Sequence, residues 1–562
     1  MLSGIPGGRN YDGTGMKVMM QDDGIIGPHI DYQGRIGAQY STFNIGNHGD
    51  HVSGTIFGAG NRDPDARGMA YGAELYVYGA SPTYPGFDSI YNHYNNPGIP
   101  ISSTSYSNGC NAGYTTLTQK MDQQIRQMPS LTHVFSAGNN GFLDCGYGAG
   151  SVWGNITGGH KAAKNVIAVA NLDYADGIEV SSSRGPAHDG RIKPEISAVG
   201  TNVLSTMDPN NYQVQTGTSM SCPGASGTLV QLYHAYKVLN GNANPPSGLM
   251  KAIFMNSCDD IGNPGPDFIH GYGRINALRA VKDIENSYWI IDSVTQGITN
   301  THTLNIPANV AQVKIMVYWH DPEAAVNTTK ALINDLNMVV TDPSATAYNP
   351  WVLDPTPNTI TLNTPAVRAV DTLNNTEQVT IDSPAAGVYS ITVNGFAVPT
   401  GPQKYFLVYE YVYDEITVTY PMGGEGFDPN VNEVVRWDAY GNTGPFTFEY
   451  SADSGTTWTL VSSTIPGDRR YSGWNVPFVS PTGNCFIKIS RGTAVDVSDS
   501  YFSIIRVPSS LAITWACGDS IRLNWGAVSG ATNYTVHQLG TKYMDSVVTT
   551  ANTYHTFYGM NN

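Results

Sequence analysis

Four polar residues stand at the ends of short apolar runs or at the start of helical segments, and they supply an acid, a base, an amide and a hydroxyl. In chain order they are Asp22, His48, Asn139 and Ser219. A serine hydroxyl is a poor nucleophile at neutral pH, so it needs a base, and the base needs an acceptor that fixes its tautomer. The oxyanion formed by attack on a carbonyl needs donors aimed at it. These four residue types together indicate nucleophilic catalysis by serine.

The stretch QTGTSMSCPGASG, residues 215–227, contains more small polar residues than one helix cap requires. Thr218, Ser219 and Ser221 could each serve as the cap of the helix that follows, and Pro223 lies where a first turn tolerates proline. One interpretation is an ordinary helix N-terminus with more capping side chains than it needs. The other is a serine held at a helix N-terminus, where backbone N–H groups and the helix dipole favour an oxyanion.

Each of the other candidates also has an ordinary structural explanation. Asp22 and Asn139 lie in the sequences DDG and NNG, which are good turns. His48 and His51 are three residues apart on a predicted helix and could bind zinc, although no third ligand is evident. The ordinary explanations would all have to hold at the same time for Asp22, His48, Asn139 and Ser219. We therefore favour the catalytic interpretation.

Strands that alternate with helices are predicted over residues 1–285. The runs MKVMMQDDG, AELYVYGA, THVFSAGNNG and NVIAVANL suit buried parallel strands, whereas LTQKMDQQIRQM and GTLVQLYHAYKVL carry helical spacing. This alternation predicts an α/β fold with a doubly wound, mostly parallel sheet. Catalytic groups collect at the strand ends of such a sheet, which is where Asp22 and Asn139 are expected.

After residue 285 the patterns are those of antiparallel strands, so all-β sandwich domains are expected to follow the α/β domain. A chain of 562 residues is also too long for one hydrophobic core. We predict a catalytic domain at 1–285 and β-sandwiches at 286–414 and 415–507. Residues 508–562 are about half of what such a sandwich needs, so we expect the natural protein to continue beyond them.

The motifs resemble those of the subtilisin-like serine peptidases, the subtilase family. The matching stretches are VMMQDDG, NHGDHVSGT, FSAGNNG and GTSMSCPGASG, and SSSRGPAHDGRIKPEISAVGTNVLST and DFIHGYGRINALRAV extend the match towards residue 285. The resemblance implies a serine endopeptidase with Asp22, His48 and Ser219 as its triad. It implies that Asn139 is an oxyanion donor. It also implies that Ser105, at the end of PISSTS, binds substrate.

Three positions depart from the family pattern. Asp23 and Asp50 stand where Thr or Ser usually follows the catalytic Asp and the His-Gly pair, and Val199 replaces a proline. Two extra carboxylates near the base should raise the pKa of the imidazolium and shift the pH optimum upward. None of the three departures removes a catalytic atom.

The β-rich regions carry looser resemblances. Residues 286–414 are similar to a jelly-roll domain that follows the catalytic domain in some bacterial subtilases, 415–507 to immunoglobulin-like modules, and 508–562 to the start of a fibronectin type III domain. Loop acids of the first module could bind structural calcium or be ordinary loop residues; they are Asp321, Asp335 and Asp371. No cofactor is expected for catalysis. The β-modules could bind proteins or glycans, although fold analogy says little about function.

Composition limits the functions that the chain can have. Its formal net charge of −16 lacks the basic footprint of a nucleic-acid-binding protein, and no apolar run approaches the length of a membrane span. No signal-peptide core is present, and we expect a secreted or cell-surface protein whose signal peptide is not in this chain. In that compartment Cys110 and Cys145, both in loops rich in Gly and Asn, could pair. We expect a monomer that acts on a protein or peptide substrate.

Two other functions stay open at this point. One is a binding protein in which a decayed catalytic domain carries adhesive β-modules, and the four intact residues count against it. The other is a sedolisin-type acid peptidase, which shares the GTS serine but uses Glu as base and Asp in the oxyanion hole. His48 and Asn139 speak against that alternative.

Overall fold

The computed structural model describes residues 8–41, 46–79, 86–106, 109–110 and 112–559. One compact unit runs Tyr11–Val412, and a second holds the described residues from Tyr413 onward. Within the described ranges, none of the helices has both the length and the apolar character that crossing a membrane requires. All four motif residues lie in the first unit.

A parallel sheet of seven strands forms the centre of the first unit. The strands are β1 (Lys17–Asp22), β2 (Ile36–Gln39), β3 (Glu74–Gly79), β4 (Ile101–Thr104), β5 (Thr132–Ser136), β6 (Ile167–Leu172) and β7 (Ile196–Val199). Their order across the sheet is β2-β3-β1-β4-β5-β6-β7. The winding direction therefore reverses between β1 and β4, which is where open α/β sheets bind their ligands. This topology confirms the predicted doubly wound α/β class.

Most of the helices belong to the segment that contains the parallel sheet, and the last short one lies further along the chain. They are α1 (His48–Phe57), α2 (Gly86–His93), α3 (Thr116–Gln127), α4 (Thr218–Leu239), α5 (Ser247–Asn256), α6 (Ala277–Asn286), the short α7 (Thr359–Leu362), and 3-10 turns at Ile30–Tyr32, Pro64–Ala66 and His160–Ala162. The long helix α4 packs against β4, β5, β6 and β7 and against α1. Its buried residues include Leu229 and Leu232, so apolar packing on the sheet fixes where its N-terminus lies. A hairpin of β8 (Val203–Met207) and β9 (Asn211–Gln215) lies beside α1.

An antiparallel β-sandwich completes the first unit. Its strands are β10 (Trp289–Val294), β11 (Thr299–Ile306), β12 (Val310–Tyr318), β13 (Asp335–Thr341), β14 (Ala347–Tyr348), β15 (Trp351–Val352), β16 (Val367–Arg368), β17 (Thr376–Asp382), β18 (Gly387–Ala397) and β19 (Gln403–Tyr413). The two main sheets have the orders β10-β19-β12-β17 and β11-β18-β13-β14. Alternate residues such as Val313, Ile315 and Leu336 form the core between them, as the alternating sequence pattern predicts.

The second unit is also built from β-strands. They are β20 (Ile416–Tyr420), β21 (Gly426–Phe427), β22 (Asn432–Ala439), β23 (Phe446–Ser451), β24 (Thr459–Ile465), β25 (Tyr471–Asn475), β26 (Thr482–Arg491), β27 (Ala494–Val497), β28 (Phe502–Ile504), β29 (Ala512–Cys517), β30 (Ser520–Asn524), β31 (Tyr534–Leu539), β32 (Met544–Thr550) and β33 (Tyr554–Tyr558). Sheets made of β20–β28 enclose a core that includes Trp437 and Trp474. The all-β character after the parallel sheet is confirmed, and the exact domain boundaries stay predictions.

Buried polar contacts join the parallel-sheet part of the first unit to the sandwich. The Lys164 ammonium donates to the Asp321 carboxylate, and both side chains are completely buried. Arg279 of α6 donates to Glu410 of β19 at 2.5 Å. The run Trp289–Ile291 also predicts apolar packing at this junction: the Trp289 ring lies 6.1 Å from that of Tyr236 in α4, whereas Ile291 is 38% exposed.

Candidate active site

Asp22 and His48 form the centre of the site. Asp22 ends β1, and His48 is the first residue of α1. His48 Nδ1 lies 2.6 Å from Asp22 Oδ1. Because a carboxylate only accepts, Nδ1 must carry the proton of this bond, which leaves Nε2 of the neutral ring free to act as a base.

The pKa of His48 lies above its ordinary value. Burial works to lower this pKa, but the hydrogen bond and the charge of Asp22, together with the charge of Asp23, outweigh the effect of burial. The site therefore stabilises the imidazolium form of His48. A general base needs this stabilisation because it holds a proton during the reaction.

His51 has a different environment, although it lies one turn further along α1. Its ring is completely buried, and its Nε2 donates to the carbonyl oxygens of Val203 (3.0 Å) and Gln213 (2.9 Å) in the β8–β9 hairpin. Burial lowers the pKa of His51 to about 4. The two histidines thus have separate partners, and His51 holds α1 to the hairpin.

Ser219 lies in the first turn of α4, at the helix N-terminus that the sequence suggested. Its Oγ donates to the backbone carbonyl of Ser105 at 2.8 Å. Ser105 follows β4, the neighbour of β1 in the sheet, and its side chain is buried, so its carbonyl rather than its hydroxyl meets Ser219. The reversal point of the sheet therefore brings together the residues that follow β1 and β4 and the start of α4.

Asn139 is exposed beyond the end of β5, and Thr218 fixes the direction of its amide. Both the backbone N–H (3.0 Å) and the hydroxyl (2.9 Å) of Thr218 donate to Asn139 Oδ1. The Nδ2 group must therefore point away from Thr218. A Cβ on Gly217 would lie 3.2 Å from that nitrogen and 3.7 Å from the Ser219 backbone nitrogen, so glycine keeps the space around both donors open.

Sequence reasoning missed the role of Thr218, which it treated only as a competing helix cap. The signal was present, since Thr218 directly precedes the serine of the motif. The contact itself could not be seen, because Asn139 and Thr218 are 79 residues apart in the chain.

The three departures from the family pattern have distinct places. Asp23 accepts hydrogen bonds from the first backbone N–H groups of α1. Asp50 accepts from the Gly27 backbone at 2.8 Å, and burial raises its pKa to about 6. Val199 ends β7 and is partly exposed. Of the two extra carboxylates, it is the charge of Asp23 that contributes to the raised pKa of His48.

The candidate calcium ligands lie in the sandwich, remote in sequence from the motif residues. The Asp321 carboxylate accepts a hydrogen bond from the Lys164 ammonium. The Asp371 carboxylate accepts hydrogen bonds from the backbone N–H groups of Leu373 (2.7 Å) and Asn374 (3.0 Å). Asp335 has one buried carboxylate oxygen without a hydrogen-bond partner. Within the described part of the chain, no three His, Cys, Asp or Glu side chains are grouped to hold a metal ion. Calcium binding stays a prediction.

Two loops at the site are joined covalently. Cys110, which follows Ser105, forms a disulfide with Cys145, which follows Asn139. Cys222 and Cys258 are buried, as their apolar contexts indicated. The disulfide therefore connects the loops after β4 and β5, each of which contributes a group to the site.

Comparison with known proteins places this site in a family. The model of the Subtilase family matches residues 13–273. Residues 13–273 of this chain are therefore a subtilase-family region. This region contains all four motif residues and is similar in sequence to serine proteases.

Several subtilase relatives differ in how much of their length this chain matches. Subtilisin Savinase of Lederbergia lenta is 29% identical over 288 residues, which are 49% of this chain and 93% of Savinase. Serine protease AprX of Bacillus subtilis is 26% identical, over 49% of this chain and 68% of AprX. The Serine protease/ABC transporter B family protein tagA of Dictyostelium discoideum is 25% identical, over 40% of this chain. The chain spans only 15% of tagA.

Two solved protease structures are also similar to this chain. The protease domain of PatA is 19% identical with a TM-score of 0.38, and the prenylagaramide maturation protease PagA is 20% identical with a TM-score of 0.40. Each covers 48% of this chain, and the match takes in 96% and 94% of the two solved chains. At these TM-scores the two structures add no argument, and the fold rests on the sheet order itself.

Proposed function

We propose that the protein is a secreted serine endopeptidase that hydrolyses peptide bonds with Ser219 as nucleophile, His48 as general base and Asp22 as the group that orients His48. The observation that carries this proposal is the 2.6 Å hydrogen bond from His48 Nδ1 to Asp22. It leaves Nε2 as the basic nitrogen on the first residue of α1.

The reaction begins when the Ser219 hydroxyl turns from the Ser105 carbonyl towards His48. Its Oγ attacks the scissile carbonyl carbon while His48 Nε2 takes its proton. The tetrahedral intermediate collapses with cleavage of the C–N bond, and His48 returns the proton to the leaving amine. Water then repeats both steps on the acyl-enzyme and releases the acid. Apo structures often lack the nucleophile–base hydrogen bond, so the present orientation of Ser219 fits this sequence.

Asn139 Nδ2 and the backbone N–H of Ser219 are the proposed donors to the oxyanion. The two bonds from Thr218 support this role, since they hold the amide with its NH₂ group away from Thr218. A donor fixed before the reaction needs no reorganisation when charge develops, which is the basis of such stabilisation. Ser105 would contribute its backbone to substrate binding.

The proposal also includes secretion of the protein and a protein or peptide as its substrate. The Cys110–Cys145 disulfide supports an oxidising compartment. The two alternative functions differ in their chemistry: a decayed binding protein needs no proton acceptor at His48, and an acid peptidase would lose activity at pH 8.

The test is labelling with a fluorophosphonate probe at pH 8, followed by mass spectrometry of the modified peptide. We expect the probe on Ser219, no label in Ser219→Ala, and a drop in kcat for Ser219→Ala and His48→Ala of at least about 10³. The loss known for subtilisin itself is about 10⁶. Ser221→Ala is the matched control, because Ser221 lies in the same turn and its hydroxyl donates to the Thr218 carbonyl. An unlabelled wild-type protein, or a label on Ser221, would contradict the proposal.

A further inference from the structure

Asp23 departs from the family pattern directly beside the proposed catalytic pair, and both of its carboxylate oxygens bind the start of α1. Oδ2 accepts from the His48 backbone N–H at 3.0 Å, and Oδ1 accepts from the Gly49 backbone N–H at 2.8 Å. A helix leaves its first N–H groups without partners inside the helix. Asn47, the residue at the N-cap position, makes no side-chain capping bond. Asp23 therefore caps α1 from a different segment of the chain.

The backbone of Asp23 holds the other member of the pair. Its N–H donates to Asp22 Oδ1 at 2.9 Å, the same oxygen that accepts from His48 Nδ1. One residue thus contacts the Asp22 carboxylate through its backbone and the His48 backbone through its side chain. The fit is close, because a Cβ on Gly49 would lie 2.7 Å from Asp23 Oδ1. The Gly49 position must stay free of a side chain for Asp23 to reach the helix.

Asp23 is also one of the few charges that act on His48. The groups that influence the His48 ring are Asp22 and Asp23, and His48 in turn acts on His51 of the same helix. Asp50, also on α1, is influenced by Asp23 and by Asp208 after β8. The negative charge of Asp23 favours the protonated form of His48.

We propose that Asp23 is a positioning residue for the proposed proteolysis: it fixes the first turn of α1 so that His48 meets Asp22, and its charge stabilises the imidazolium that forms when Ser219 is deprotonated. The inference rests on the proposed function. The geometry that carries it is the set of three bonds from Asp23, two to α1 and one to Asp22.

Two substitutions separate the two effects. Asp23→Asn removes the charge and one of the two acceptor oxygens, and it can keep one of the two bonds to α1. We expect the acid limb of kcat/KM to move to lower pH, with kcat a few-fold lower and KM unchanged. Asp23→Ala also removes the cap, and we expect kcat to fall about 10- to 100-fold, since small misplacements of a reacting group cost that much. Asp63→Asn is the matched control, because it makes the same change in charge at the N-cap of the 3-10 turn Pro64–Ala66 and likewise keeps an acceptor oxygen.

A measurement without catalysis keeps this test independent of the proposed function. In a Ser219→Ala background, NMR titration of the His48 ring should give a lower midpoint in Asp23→Asn than in the parent. An unlabelled wild-type protein in the fluorophosphonate assay would reject the proposed function and leave this titration to decide on Asp23. A His48 midpoint and an acid limb that stay unchanged, even with a lower melting temperature, would show that Asp23 is only structural and would overturn the inference.

Discussion

The buried pair Lys164–Asp321 joins two parts of the first compact unit, and removing one partner should destabilise that unit. Lys164 precedes β6 of the parallel sheet, and Asp321 follows β12 of the sandwich. Neither side chain has any exposed surface. The Lys164 ammonium also donates to the carbonyl oxygens of Pro322 (2.5 Å) and Ala331 (2.7 Å), so its donors are used within the protein.

The two single substitutions at this pair should differ in cost. Asp321→Asn leaves a buried ammonium that has only carbonyl acceptors, and breaking a buried pair in this way costs about 3–5 kcal/mol. With an unfolding entropy of about 2 cal/mol/K per residue, a unit that runs Tyr11–Val412 should lose about 4–6 °C in Tm. Lys164→Met should cost less, because burial raises the pKa of Asp321 and the stranded carboxyl can take a proton.

The assay is scanning calorimetry of the full chain at pH 8, with the double variant Lys164→Met/Asp321→Asn included. Because the two sites are in contact, the double variant should lose less than the sum of the single losses. The matched control is Asp88→Asn, which breaks the exposed pair with Lys120 and should shift Tm by less than about 1 °C.

The reasoning fails if Asp321→Asn melts together with the wild type. The same experiment tests calcium at this residue. If Asp321 binds calcium, a chelator should lower the Tm of the wild type and leave that of Asp321→Asn unchanged.

Three further predictions concern the site. Asn139→Ala should cost about 2.7–4 kcal/mol of transition-state stabilisation with little change in KM, a magnitude known for such a donor in subtilisin itself; a wild-type kcat would mean that the amide points elsewhere. Because the pKa of His48 is raised and the ring must be neutral to accept a proton, kcat/KM should fall as pH drops through a midpoint above the ordinary histidine value of about 6.5, and a midpoint below it would contradict this. Replacing Cys110 and Cys145 by Ser opens a loop of 35 residues and should destabilise the unit by about 4 kcal/mol in thermal unfolding, whereas an unchanged Tm in oxidised protein would show that the bond does not form.

The strands that end at the site could be predicted because their apolar sequences indicate that they are buried. A strand buried on both faces is mainly apolar, so β1 and β5 are recognisable from their runs VMM and VF, although buried Gln21 and His133 interrupt the pattern. The helix α4 was harder to delimit. It begins at Thr218, inside the small-residue motif, whereas the predicted apolar helical run starts only at Gly227.

The roles of neighbouring polar residues could not be predicted, because they depend on segments far away in the chain. A spacing of three puts His48 and His51 near each other on one helix, and nothing local separates them. The separation comes from the β8–β9 hairpin, more than 150 residues downstream, whose carbonyl groups accept the hydrogen bond from His51 Nε2. Ser105 gives a similar lesson, since its sequence position was informative but its buried hydroxyl was not the contacting group.

The buried pair also bears on the predicted boundary at residue 285. A buried lysine has no sequence signal, so only an apolar junction at Trp289 could be expected there. Cutting the chain at 285 would remove Asp321, but it would also open Lys164 to water, and a hydrated ammonium needs no partner. The truncation would then lose the packing of the sandwich without stranding a charge, whereas Asp321→Asn strands the charge and keeps the packing. Because every motif residue lies before 285, we expect the sandwich to affect the proposed chemistry through the stability of the sheet that positions them.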